Sequence, residues 1–352
     1  MRIAGLTGHL NTPSSRFRIR SCIPFLSQNN IFVEDLFRRV STETSAHVFP
    51  NRRIRSSPLK LATAISFELL NIAHTLSRSL ASNNYDATWI SRELIIGYPS
   101  FEWILKTPLI YDIDDALFLS KYSKPGINYL LRNSVAIMAG NAYLADYCRQ
   151  FNSNVHIIPT AVDVDKFKPS AHKMISKVMT IGWSGTSSSY KYFHPIAANI
   201  VKFLVDKPDV RLRFFSDQYP FELKQLHPYL DFEFWSPSEE ANQIRSIDLG
   251  LMPIDNSEWS RGKCAYKMLL YAAAGIPTIC SNFGMNSELI KEYNIGLAAD
   301  SSGDWLDHLE FCYRNKDSLQ SIFPDCRSTV INHFSHSVVH EKVLKVFSTI
   351  QI

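Results

Sequence analysis

Glycine is scarce in this chain, 13 in 352 residues, and the nucleotide-binding glycine patterns are missing. The opening strand leads into "GLTGHL" without a G-x-G-x-x-G, which argues against a dehydrogenase-type dinucleotide fold, and no Walker A sequence occurs. The six cysteines (Cys22, Cys148, Cys264, Cys280, Cys312, Cys326) include no C-x-x-C pair and sit mostly in apolar runs, so they read as reduced core thiols of a cytosolic protein. Eleven histidines form no H-E-x-x-H cluster, and no metal-ligand spacing is found, so neither a metal nor a cofactor is expected. No apolar run is long enough to suggest a transmembrane span. Met1 leads straight into a strand-like "RIAGL", so no signal peptide is expected. Tandem repeats and low-complexity segments are also lacking.

What the chain does have is a globular composition, 45% hydrophobic and 20% charged, and a length suited to two domains. Short apolar runs alternate with helical stretches, the pattern of parallel α/β folds. The first series of strands reads as "RIAGL", "IFVEDLF", "ATWIS", "LIYDI", "VAIMAG" and "VHIIP"; the second as "KVMTIGW", "RLRFF", "LDFEFW", "IDLGLMPI", "IPTIC" and "IGLAA". Between them "PTAVDVDKFKPSAHK" is polar, carries two prolines and reads as a linker. The expected organisation is two Rossmann-like parallel-sheet domains, 1–165 and 166–330, with a cleft between them. A C-terminal helix in 331–352 is expected to pack back toward the first domain.

Net charge is only +4 but uneven, since residues 1–60 carry +7 and the remainder −3. Such asymmetry points to an anionic partner, either nucleic acid or membrane. Arg52, Arg53, Arg55 and Lys60 lead into an amphipathic helix interrupted by Glu68, Asn71, His74 and Arg78. That helix cannot span a bilayer but can lie on one; the alternative is an ordinary surface helix of a domain.

The stretch "SRGKCAYKMLLYAAAGIPTICS" (260–281) reads as a helix ended by Gly275 and followed by a buried strand. Arg261, Lys263 and Lys267 crowd its start, where the helix dipole is already positive and a cation is unfavourable. Lys263 and Lys267 are spaced i, i+4, and Gly262 leaves backbone N–H groups open beside them. Open amides, a positive helix end and added cations suit a phosphate or pyrophosphate; solvated lysines are the plainer alternative. In "TIGWSGTSSSYKYF", Gly182 and Gly185 permit close backbone approach, and Thr186, Ser187 and their neighbours supply hydroxyls that cap the next helix. Lys191, a turn into that helix, reads as the other half of a phosphate clamp facing Lys267, or as a solvated lysine behind a plain N-cap.

"YDIDDALF" gathers Asp112, Asp114 and Asp115 after a strand, where mutual repulsion suggests a site. The alternative is a helix N-cap with solvated neighbours. Arg16, Arg18 and Arg20 in "PSSRFRIR" fall on one side if extended, and suit either a phosphate-bearing ligand or a solvated face.

The ordered set "IIPTAVDVDKFKP", "IGWSGT…K", "IDLGLMPI" and "KMLLYAAAGIPTICSNFGMNSELI" resembles the C-terminal domain of GT-B glycosyltransferases of the family 4 type. "PLIYDIDDALF" and "AGNAYLADY" are similar to the N-terminal domain of a bacterial branch of it. The resemblance implies retaining, metal-independent transfer of a sugar from a nucleotide-sugar. Lys191 and Lys267 would hold the donor pyrophosphate, with Arg261 or Lys263 in support. It implies a donor-binding set of Gly185, Thr186, Ser187, Trp235, Ser236, Arg261, Lys263 and Asn286, with Trp235 beside the base or else in the core; Glu240 is a weaker candidate. Asp114 and Asp115 match the places of a His-Asp pair that contacts the donor sugar, so an aspartate replaces the histidine. Arg16, Arg18 and Asp112 fall on the acceptor side, where a lipid-linked diphosphate would suit the arginines. Two glutamates that family members carry eight residues apart are replaced here by Gly262 and Leu270.

The expected function is a cytoplasmic, membrane-associating hexosyltransferase of polysaccharide or lipopolysaccharide synthesis, with a glycan or lipid-linked acceptor. The competing reading is a non-catalytic GT-B protein that binds a nucleotide or scaffolds a partner enzyme. Nucleic acid is not expected as a partner, because the basic segment lacks interleaved aromatics or a helix-turn-helix.

Overall fold

The computed structural model describes residues 1–10, 12–39, 58–95, 101–106, 108–169 and 178–350, and only the backbone of 58–64. The chain divides into two compact units, Met1–Ala161 with Val339–Ile352, and Val162–Val338.

In the first unit β1 (Arg2–Leu6), β2 (Phe32–Asp35), β3 (Ala87–Ser91), β4 (Leu109–Ile113), β5 (Ser134–Ala139) and β6 (Val155–Ile157) form one sheet. Its order is β2-β1-β3-β4-β5-β6, and every neighbouring pair is parallel. All five residues of β3 and of β4 are buried, which is why these strands read as continuous apolar runs rather than alternating ones. The helix His336–Thr349 sends Val339, Val343, Val346 and Phe347 into this unit's core. The Phe347 ring meets Trp89 edge-on with centroids 5.1 Å apart.

The long helix Pro58–Ser82 has its polarity reversed from the usual arrangement. Asn71, Thr75, Arg78 and Ser79 are buried, whereas Ile65, Leu69, Leu76 and Leu80 are exposed along one stripe. The inward polar face is used: Arg78 Nη1 donates to the carbonyls of Thr7 and Leu36 at 2.6 and 2.9 Å, and Ser79 donates to the Thr75 carbonyl. Arg78 and Asn71 thus do not interrupt an interfacial face; both lie on the opposite one, which Arg78 anchors. Arg52, Arg53 and Arg55 lie outside the described residues, as does the Lys60 side chain. No helix among the described residues is long and apolar enough to cross a membrane.

In the second unit β7 (Met179–Ser184), β8 (Val210–Ser216), β9 (Leu230–Phe234), β10 (Leu249–Met252), β11 (Thr278–Ser281) and β12 (Gly296–Ala299) form a second parallel sheet. Its order is β12-β11-β10-β7-β8-β9. Beneath it Trp183, Tyr190, Phe193 and Phe214 interlock, with centroid separations from 4.7 to 5.4 Å. Of the stretch expected to be a linker, residues 162–169 instead belong to this unit. Phe167 is buried, and Lys166 pairs with Glu240 at 3.0 Å, so an apolar anchor and an ion pair hold what composition made look loose. All six cysteines are buried and none is in a disulfide, and burial pushes the thiols of Cys22 and Cys148 up to about 12.

Candidate functional site

An open parallel sheet binds ligands beyond the carboxyl ends of its strands, where the strand order reverses. In the second unit that point lies between β7 and β10.

The element read as one helix from Ser260 is two. Glu258–Arg261 is a single turn whose N-cap Ser257 accepts from the Ser260 N–H. Tyr266–Ala273 follows after a connection in which Ala265 adopts φ 49°. Lys263 therefore lies in the connection and does not share a helical face with Lys267. Arg261 sits at the carboxyl end of its turn, where the dipole favours a cation, so only Lys267 faces the unfavourable first-turn charge. The far end matches expectation: Gly275 at φ +73° and Ile276 donate to Ala272 and Tyr271, both at 2.9 Å, a Schellman closure.

Tyr271 fixes this helix against both strands of the reversal. Its hydroxyl accepts the Ser184 N–H at 2.9 Å, and its ring fills the space beside Gly250, where a Cβ would come within 2.4 Å of it. Lys267 then lies along the turn that follows β7. A Cβ on Gly185 would stand 2.6 Å from Lys267 Cε and 2.5 Å from Trp183, so only glycine fits there. The Lys267 ammonium is 5.4 Å from the centre of the Trp183 ring.

The expected hydroxyl cap is not formed. Residues Ser187–Phe193 make a 3₁₀ helix whose N-cap Thr186 contributes no side-chain bond and instead lies 2.9 Å from the Ser188 hydroxyl. Ser187 turns to Asp217, giving it the N–H at 2.6 Å and the hydroxyl at 3.0 Å. Lys191 is exposed in the last turn, 5.0 Å from the Tyr192 ring centre.

A carboxylate missed in the sequence stands beside these groups. Asp255, after β10, accepts from the Ser257 hydroxyl at 2.5 Å and from Ser260, whose hydroxyl also reaches Tyr192. Partial burial works to raise Asp255, but the two hydroxyls, the Ser257 N–H and the Lys191 charge outweigh it and hold the carboxyl below its usual range. Its only sequence signal is its place three residues past the apolar strand β10.

Arg261 stacks over Phe283 at 5.0 Å, and Phe283 starts the helix Gly284–Glu292 without a side-chain cap, leaving first-turn N–H groups open. Asn286 is 2% exposed and donates to the Met252 carbonyl at 3.3 Å, so its amide ties that helix to β10. Lys263 lies 5.9 Å from the Trp259 ring centre. Trp235 and Ser236 fall elsewhere, at the end of edge strand β9. Trp235 is half-buried and bonded through its N–H to Ser216, and Ser236 receives the Glu239 N–H.

In the first unit the structure separates the three arginines. Ser15–Arg20 is a π-helical turn, so the alternation expected of an extended segment is lost. Arg16 lies over Phe17 at 4.9 Å. Arg20 binds Asp35 at 2.6 Å, the Thr7 hydroxyl and the Gly8 carbonyl. Arg18 pairs with Asp112, each side chain 2% exposed, which removes both from a ligand-facing surface. Burial pushes the Asp112 carboxyl up, and the Arg18 charge opposes it. Asp114 and Asp115 remain half-buried beyond β4 and cap no helix by side chain, the next turn being capped by Ala116.

No known family model and no curated protein matches this sequence. Solved structures do match in fold. Alr3699/HepE of Anabaena, in complex with UDP and glucose, is similar with TM-score 0.70 and 12% identity, over 99% of this chain and 100% of that one. Sucrose-phosphate synthase of Thermosynechococcus elongatus gives 0.69 and 12% over 99% and 98%. A glycosyltransferase of Rickettsia africae ESF-5 gives 0.67 and 14% over 99% and 97%. The class these define is the GT-B fold of glycosyltransferases, with its two parallel six-stranded sheets.

Breaking a buried ion pair leaves an uncompensated charge, at a cost of about 3–5 kcal/mol. Arg18→Met and Asp112→Leu should each destabilise by that order in urea unfolding, and the double variant by clearly less than their sum. Additive losses would mean that the two side chains do not act as a pair.

Proposed function

We propose that this chain is a retaining, metal-independent glycosyltransferase that moves a hexosyl group from a nucleotide-sugar to a glycan or lipid-linked acceptor. The reading is carried by the convergence at the β7/β10 reversal, where Lys267 lies along the Gly185 turn and Lys191 faces Asp255. Negative charge develops on the departing nucleoside diphosphate, and two fixed ammonium groups with open amides oppose it where a divalent ion would otherwise be needed. UDP in the similar HepE structure supports a uridine nucleotide as donor. Asp255 supplies a carboxylate acceptor for donor hydroxyls that Gly262 and Leu270 cannot supply. Asp114 and Asp115 face the transferred sugar in this reading. Gly262 and the 4%-exposed Leu270 favour the second reading, a nucleotide-binding protein without catalysis.

Hydrogen bonds to charged groups contribute about 1.5–3 kcal/mol, so Lys191→Ala and Lys267→Ala should each weaken nucleoside-diphosphate binding roughly ten- to hundredfold by calorimetry. Thermal unfolding of both variants should stay near that of the parent protein. Unchanged affinity in both would remove the clamp from the mechanism.

Transfer should persist in excess chelator. The sequence Asp112-Ile113-Asp114-Asp115 is the natural objection, but Asp112 faces a guanidinium, and among the described residues no group of three potential ligands gathers. Activity lost to chelator and restored by Mg²⁺ or Mn²⁺ would contradict the metal-independent mechanism.

We also assign the protein to the inner face of the cell membrane as a peripheral protein. Exposed Ile65, Leu69, Leu76 and Leu80 support this, as does the positive charge of residues 1–60. Vesicles with anionic lipid should sediment the protein at low salt, neutral vesicles should not, and Leu69→Gln with Leu80→Gln should abolish the effect. Indifference of the parent protein to anionic vesicles would end this assignment.

A further inference from the structure

The first unit has its own reversal of strand order, between β1 and β3, and a recess opens at the carboxyl ends of those strands. Three guanidinium groups line it, and sugar transfer as described above uses none of them. Arg38 follows β2, Arg92 follows β3, and Arg78 arrives from the Pro58–Ser82 helix. Arg38 is 4% exposed and Arg78 8%.

Their donors are incompletely used. Arg78 gives Nη1 to the carbonyls of Thr7 and Leu36, and Arg38 gives Nη2 to that of Leu94. The Nε atoms of Arg38, Arg78 and Arg92 are all buried without a hydrogen-bond partner among the described residues. A buried donor on a charged group left in this way is costly, so such groups normally face a ligand or a counter-charge. Arg92 is also held at φ +68°, in the left-handed region that few non-glycine residues adopt. The loop beyond it is pinned by the Leu94 N–H on Glu102 at 3.1 Å. Burial and the neighbouring Arg38 charge pull Arg78 down to about 9.

The counter-charges fall short. Glu93 is the one carboxylate lining the recess among the described residues, and it also takes the Ser123 hydroxyl at 2.8 Å. Asp35 is taken by Arg20 and the Thr7 hydroxyl. Among the described residues the lining itself holds three guanidiniums and one carboxylate, while Glu68 acts on Arg38 and Asp35 on Arg78 from outside it. A phosphate monoester, carrying about −1.5 to −2 near neutrality, matches such a positive lining better than a carboxylate does. Its several oxygens also suit donors arriving from three chain segments, and guanidinium is the side chain best matched to phosphate.

We infer that Arg38, Arg78 and Arg92 form a phosphate-binding site, and that it receives a phosphate group carried by the acceptor. The word acceptor rests on the glycosyltransferase reading; the binding itself does not. The phosphate belongs either to a soluble sugar phosphate or to a polyprenyl-linked one.

The test uses the full chain carrying Lys191→Ala and Lys267→Ala, so that the two ammonium groups proposed to hold the donor diphosphate contribute nothing. Inorganic phosphate titrated into this protein should bind with a dissociation constant near or below about 1 mM. Arg92→Gln, at a half-buried position that leaves the buried pair intact, should weaken binding about tenfold, and Arg38→Lys should also weaken it. Acetate should not compete. Glucose 6-phosphate and polyprenyl phosphate in detergent micelles are then compared with inorganic phosphate; the one that binds more tightly identifies the source. Absence of phosphate binding, equal competition by acetate, or affinity indifferent to both arginine variants would overturn the site. Nucleoside-diphosphate binding measured on the Arg92→Gln chain with native lysines reports separately on the transferase reading.

Discussion

Tyr271 is the contact on which the candidate donor site depends. Its hydroxyl closes on the last N–H of β7, its ring occupies the space that Gly250 vacates on β10, and its backbone carbonyl receives the closure of its own helix. One buried side chain thereby sets the height of the Tyr266–Ala273 helix over the strand reversal. Lys267 reaches the Gly185 turn because that height is fixed. A phenol without its partner N–H would be a buried unsatisfied group, so the position is also specific about what surrounds it.

The fold was legible because the central parallel strands, covered on both faces, read as apolar runs throughout, "ATWIS" and "LIYDI" to the residue. All twelve strands overlap the runs read from the sequence, including β2 and the edge strand β9, which carry acidic residues and are partly exposed. Turn chemistry at Gly275 was equally plain, since a positive φ after a helix calls for glycine. Local pattern failed where distant partners decide. Nothing near Arg18 indicates Asp112, 94 positions away, and only that partner turns a surface arginine into a buried one. Nothing within Pro58–Ser82 says that its polar stripe faces in, because the carbonyls it satisfies belong to the ends of β1 and β2. The break at Gly262–Ala265 was hidden for another reason: Ala265 in the left-handed region contradicts its own propensity and is held there by its surroundings.

Charge tells a similar story in both units. The sequence concentrates cations near the chain's start and near residue 260, and that much is readable by counting. Which of them face a site depends on which have already been neutralised. Arg18 and Arg20 are taken by Asp112 and Asp35, while Arg38, Arg78 and Arg92 share a single lining carboxylate. In the second unit Arg261 and Lys263 rest against aromatic faces, and Lys267 and Lys191 flank the turn and the carboxylate. Each sheet therefore gathers positive charge at the place where its strand order reverses.

The contact between Gly185 and the Lys267 stem has an evolutionary reading. The two positions are 82 residues apart in sequence yet occupy one small volume, so neither can drift alone. A side chain arriving at 185 displaces the lysine before it can be useful, and a bulkier residue at 267 has no room while Trp183 stays in place. Shortening the side chain at 267 alone would not open position 185, because the Trp183 ring would still stand 2.5 Å from the added carbon. The missing carbon atom thus ties three positions together, and a change at 185 requires the indole as well as the lysine to move.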